Sequence, residues 1–149
     1  MRALRKLLVL TVLAATSAVA ADVPPGFAVG IAKLAANAVL PSAVTEASVL
    51  TNAEGRTLYI LASDMEFGKS ACNGDCAMLW PPFAASAEAK ASGPWTIFTR
   101  DDGSRQWAYK GKPLYTYSKD QKPGDAKGHN VLQIWSAVTM VSPTQAAAK

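Results

Sequence analysis

Residues 55–82 read GRTLYILASDMEFGKSACNGDCAMLWPP, and this stretch decides the fold. Arg56–Leu61 has the make-up of a strand. At a period of two, Leu58 and Ile60 face one way and Tyr59 and Leu61 the other, so both faces expect cover. Gly55 suits the positive φ of a hairpin turn, through Asn52-Ala53-Glu54, from a short strand at Val49–Thr51. Ser63–Asn73 reads as a loop. Asp75–Trp80 is predicted to make one or two helical turns, with the Asp75 charge at its favourable N-terminal end. Pro81 and Pro82 then stop it.

The first half of this stretch returns further along the chain. Aligning Gly55 with Gly111 brings Leu58 onto Leu114, Tyr59 onto Tyr115, Asp64 onto Asp120 and Gly68 onto Gly124 without a gap. A fainter echo relates Leu50-Thr51…Gly55 to Phe98-Thr99…Gly103. A hairpin unit used more than once, each copy unable to bury its apolar face alone, predicts a mainly β fold. The expected architecture is a compact antiparallel sheet structure with one short helix near Cys72-Asn-Gly-Asp-Cys76. The units span about 47–82 and 95–141 of a repeat domain at 47–141. Within the second, Trp95–Arg100 and Arg105–Tyr109 flank an Asp101-Asp102-Gly103 turn, Lys110-Gly111 turns into Pro113–Ser118, and Val131–Val141 is long enough for one strand.

Outward from the repeats the chain is less decided. Residues 21–46 form an N-terminal lead-in. In it Phe27, Val29 and Ile31 alternate like a strand, while Ile31, Leu34, Ala35 and Ala38 fit a helix face, and both periods stay open. Residues 142–149 read as a flexible tail. Residues 1–20 have the design of a cleaved export signal: Arg2, Arg5 and Lys6, an apolar run from Leu7 to Ala15, then Ala18-Val19-Ala20. That run is too short to span a bilayer, so no transmembrane segment is expected after cleavage.

The chain has 149 residues, a one-domain length. The signal holds three of the 15 basic side chains and none of the 11 acidic ones, leaving 12 − 11 = +1 for residues 21–149. That balance gives no basic face for nucleic acid. Lys110, Lys112, Lys119, Lys122 and Lys127 read as a solvated rim. An exported chain with two cysteines expects a Cys72–Cys76 bridge, and a periplasmic or secreted location.

These residues carry a resemblance. Gly55-Arg-Thr-Leu-Tyr59, Gly68-Lys-Ser-Ala-Cys72-Asn-Gly-Asp-Cys76, Trp80-Pro81-Pro82, Gln106-Trp-Ala-Tyr109 and Gly111-Lys-Pro-Leu-Tyr115-Thr-Tyr117-Ser-Lys-Asp120 resemble the bacterial "secreted repeat of unknown function" family. That family is also described as predicted lipoproteins with a Tyr-x-aromatic-x-x-Asp motif. The likeness runs from about Leu50 to Trp135. The second copy fits the motif with Tyr115, Tyr117 and Asp120; the first has Leu61 in the aromatic place. Ser136 follows Trp135 where many members carry a histidine, and no lipidation cysteine follows the expected cleavage. The resemblance implies an exported repeat domain and no particular activity.

The candidate chemistry is sparse. Asp64 and Asp120 follow their strands, where an aspartate commonly accepts backbone N–H bonds and shapes a turn; paired carboxylates around a ligand, or an enzyme built on them, are the rival uses. Cys72 and Cys76 are expected to bridge; a redox pair, or copper or zinc held with His129, Met65 or Met78, is the alternative. His129, the one histidine, sits in a loop composition, and no Gly-x-Ser-x-Gly elbow is present. The favoured function is a non-enzymatic binding or envelope-associated module without cofactor or metal. Its binding face is expected from Tyr59, Asp64, Trp80, Trp107, Tyr115, Tyr117 and Asp120, with one or two aromatics exposed, for an envelope protein, peptide or glycan. The alternative is a periplasmic redox or metal-handling protein using the cysteine pair.

Overall fold

A computed structural model describes residues 23–35 and 44–140. The expected signal at 1–20 and tail at 142–149 lie outside the described residues. The strands are β1 (Phe27–Ala35), β2 (Val44–Asn52), β3 (Tyr59–Leu61), β4 (Trp95–Thr99), β5 (Arg105–Tyr109), β6 (Lys112–Pro113) and β7 (Trp135–Ala137), with one helix, α1 (Asp75–Leu79). All paired strands are antiparallel, and the helix adjoins the cysteine pair, as the repeat pattern predicts. The lead-in supplies a full strand. β1 pairs with β2 from Phe27 opposite Asn52 to Ala35 opposite Val44, so pairing decides between the two periods that the sequence leaves open.

Two closed junctions organise the backbone. In one, Leu58 N–H donates to Leu50 O (2.9 Å), Leu50 N–H to Val138 O (2.8 Å) and Val138 N–H to Leu58 O (2.9 Å). In the other, Leu114 N–H donates to Trp107 O (2.9 Å), Trp107 N–H to Phe83 O (2.9 Å) and Phe83 N–H to Leu114 O (2.8 Å). Each is a ring of three chain segments, and the two match residue for residue: Leu58 with Leu114, Leu50 with Trp107, Val138 with Phe83. The segment after α1 thus completes the second unit's ring, and the segment after β7 completes the first unit's ring. Between the rings Tyr59 and Tyr115 exchange both backbone hydrogen bonds, at 2.8 and 3.0 Å, on the pseudo-two-fold axis.

The core follows the alternation of the β3 strand. Leu58 is fully buried in one cluster with Phe27, Trp95, Trp107 and Leu114, and Ile60 packs against it. Tyr59 and Leu61 point into the other cluster with Trp80, Tyr115, Tyr117 and Trp135. The run Val131–Val141, expected as one strand, is broken. Asn130, Leu132 and Gln133 take positive φ (62°, 51° and 58°), making a 3-10 turn at Val131–Gln133 before β7.

Candidate functional site

The repeated polar residues meet across the pseudo-two-fold axis. Tyr59 of the first unit donates its hydroxyl to Asp120 Oδ2 of the second (2.5 Å), and Tyr115 of the second donates to Asp64 Oδ2 of the first (2.8 Å). The other carboxylate oxygens are used alike. Asp64 Oδ1 accepts from Ala71 N–H (2.8 Å) and Asp120 Oδ1 from Lys127 N–H (2.9 Å), each seven residues on. Each aspartate therefore folds its own loop and takes the tyrosine of the opposite unit. Burial pushes the Tyr59 and Tyr115 phenols well above their usual range and raises the Asp120 carboxyl, whose bond from Tyr59 works in the opposite sense.

The tryptophans complete the arrangement. Trp80 and Trp135 stack face to face at 3.7 Å, on the same axis. Tyr59 meets Trp80 edge-on at 5.4 Å, and Tyr115 meets Trp135 edge-on at 5.2 Å. Tyr117 stacks on the outer face of Trp80 at 4.2 Å, while Leu61, in the matching place, pairs with Trp135 across β3 and β7. The expected exposed aromatic face is absent. Tyr59, Asp64, Trp80, Trp107, Tyr115, Tyr117 and Asp120 are all 5% exposed or less. A small domain spends its large rings on its core.

The two units also differ at the cysteine bridge. Cys72 and Cys76 are bridged, with sulfurs 1.99 Å apart, as expected. The position matching Cys72 is Gly128, where a Cβ would lie 2.7 Å from Trp80 and 2.9 Å from Tyr59. The Cys72 N–H donates to Ser70 Oγ (3.1 Å), which is hydrogen-bonded to the Tyr115 hydroxyl (2.7 Å). The sequence reading missed Arg100. This side chain is 6% exposed and donates to Gln106 Oε1 (2.6 Å), Cys72 O (2.7 Å) and Asn73 Oδ1 (2.8 Å). Gln106, fully buried, passes the connection on by donating to Leu114 O (2.7 Å).

A family described as a secreted repeat of unknown function matches residues 45–84 and again 96–139. The chain belongs to this secreted-repeat family. The two matches coincide with the two units, and the family's description agrees with an exported, periplasmic or secreted location. No curated protein and no solved structure matches the chain. Among the described residues of this secreted repeat, no group of three or more His, Cys, Asp or Glu could hold a metal ion, and no helix is long and apolar enough to cross a membrane.

An accessible recess lies elsewhere. An open cleft of about 540 Å³ separates the β1–β2 hairpin, at Ile31, Lys33, Val44 and Glu46, from the loop Lys122–Lys127 and His129. His129 Nδ1 accepts from Ala137 N–H (3.1 Å), which places the proton of the neutral ring on Nε2. Burial holds this imidazole below its ordinary pKa. In the matching place of the first unit stands Pro82, which has no N–H to satisfy. Met65 and Met78, weighed as soft ligands, are exposed at 83% and 71%.

Proposed function

We propose that this chain is a non-enzymatic, exported binding or envelope-associated module. The observation that supports this reading is the crossed Tyr–Asp arrangement: Tyr59 with Tyr115 and Asp64 with Asp120, repeated at a constant spacing, are buried and bonded to each other across the units. The Tyr-x-aromatic-x-x-Asp pattern is then a locking device for two half-domains. Tyr and Asp lock across the axis, and the aromatic between them extends the tryptophan stack. Bonds of this kind hold a scaffold and leave no positioned base or nucleophile among these residues.

On this reading the ligand meets an accessible surface, and the cleft beside β1 is its place. It offers an apolar shelf at Ile31 and Val44, 62% and 50% exposed, rimmed by charge. Ligand sites commonly combine an apolar wall with a few polar groups in this way. The test is cosedimentation of the exported protein with isolated envelope fractions. Ile31→Asp with Lys122→Glu should abolish it while the fold stays intact. Turnover of a substrate that is lost on Asp120→Asn or Asp64→Asn, with the fold retained, would replace this reading by an enzymatic one.

A further inference from the structure

Arg100 follows β4 and reaches into the first unit. Its three hydrogen-bond acceptors, Gln106 Oε1, Cys72 O and Asn73 Oδ1, are all neutral. Its Nε is buried without a partner, and Arg100 makes no ion pair among the described residues. A guanidinium removed from water without a counter-charge is a costly arrangement. Two of its acceptors belong to the bridged loop 72–76.

The bridge is also uneven in access. Cys72 is fully buried against the core, whereas Cys76, on α1, is partly exposed. An incoming thiolate therefore meets Cys76. Displacement there sends the bonding electron pair to the Cys72 sulfur, in the residue whose carbonyl lies 2.7 Å from the guanidinium. Neighbouring cations stabilise thiolates, and a stabilised thiolate leaves faster. The backbone of Cys72 is held independently of the bridge, by Ser70 Oγ and Arg100, so it stays beside the guanidinium when the bond opens.

We infer that Cys72–Cys76 is a thiol-exchange site, with Cys76 the attacked sulfur and Cys72 the leaving group stabilised by Arg100. A thiol, RSH, attacks as RS⁻; the RS–Sγ bond to Cys76 forms as the Cys76–Cys72 bond breaks, and Cys72 leaves as thiolate. A second thiol then attacks the RS sulfur, forming RSSR and releasing Cys76. Of the two thiol protons one ends on Cys76 and the other passes to solvent, while Cys72 stays a thiolate: one protein disulfide and two RSH give a Cys76 thiol, a Cys72 thiolate, RSSR and one released proton. The partner class is a small thiol or a protein dithiol. Reduction supplies the counter-charge that Arg100 lacks. This inference does not depend on the cleft.

The test uses the folded full chain and reduced glutathione. Acid quenching, alkylation and mass mapping should find the glutathione adduct on Cys76 and the alkyl group on Cys72, with native tryptophan fluorescence retained. Arg100→Gln should make the bridge about tenfold harder to reduce, and Arg100→Lys should recover part of that loss. An adduct on Cys72, reduction only on unfolding, or an unchanged equilibrium in folded Arg100→Gln each overturns the inference. Should Arg100→Gln not fold, the adduct position in the wild-type chain decides.

Discussion

Tyr59→Phe deletes one hydroxyl at a place closed to water, since Tyr59 is 0% and Asp120 1% exposed. The Asp120 carboxylate loses its donor at 2.5 Å and keeps only Lys127 N–H at 2.9 Å. The Gly128 N–H loses its acceptor at 3.3 Å as well. A hydrogen bond to a charged group contributes about 1.5–3 kcal/mol, and an orphaned buried donor adds a further cost, so about 2–4 kcal/mol is expected. At about 4 °C per kcal/mol for a domain of this size, Tm falls by about 8–16 °C. Tyr115→Phe should cost about 1 kcal/mol less, because the Ser70 hydroxyl that loses Tyr115 still donates to Cys72 O, so no buried donor is orphaned. The crossing itself is read by urea-denaturation double-mutant cycles. Tyr59→Phe with Asp120→Asn should couple by about 1–2 kcal/mol, while Tyr59→Phe with Asp64→Asn should add within about 0.5 kcal/mol. Coupling of Tyr59 to Asp64 instead of Asp120 would refute the crossed arrangement.

Three further expectations follow from the same packing. Gly128→Ala puts a Cβ 2.7–2.9 Å from the Trp80 and Tyr59 rings, so it should cost about 2–3 kcal/mol in chemical denaturation and alter the tryptophan emission. Gln106→Leu strands Arg100 Nη1 in the interior, while Leu114 O keeps Phe83 N–H, and should cost about 2–4 kcal/mol, or prevent folding, as read by thermal melting of the exported protein. His129 has its folded pKa held below the unfolded value, so its native state binds fewer protons. Its contribution to stability is present above the unfolded value of about 6.5 and is lost as pH falls through the folded one, when Nδ1 can no longer accept from Ala137 N–H. His129→Asn, which keeps an acceptor but does not titrate, should flatten stability between pH 7 and 5 (roughly the histidine range); an unchanged slope would refute that role.

What the sequence revealed depended on constant spacing. Gly55, Leu58, Tyr59, Asp64 and Gly68 stand 56 residues before their partners, so those pairs were visible. Trp80 and Trp135 are 55 apart, as are Phe83 and Val138, while Leu50 and Trp107 are 57 apart. One deletion and one insertion hid the stacked tryptophans and both backbone rings. The aromatic face failed for another reason: composition says how many rings a chain has, while burial depends on how many the core absorbs. Arg100, beside Asp101-Asp102-Gly103, reads as one more polar turn residue, and nothing local says that its guanidinium turns inward. The positive φ of Leu132 and Gln133 carries no glycine signal, so the last apolar run read as one strand.

The rings also set an order of events. A chain leaving an export channel from its N-terminus presents Leu50 and Leu58 early, yet their ring needs Val138. The ring of Phe83, Trp107 and Leu114 can close once Leu114 has emerged. The unit written first is therefore finished last. Until then its partly made sheet waits with an unfilled strand position, the kind of edge that pairs with the wrong neighbour. For this protein the hazardous interval of export is the time between the appearance of Leu58 and that of Val138.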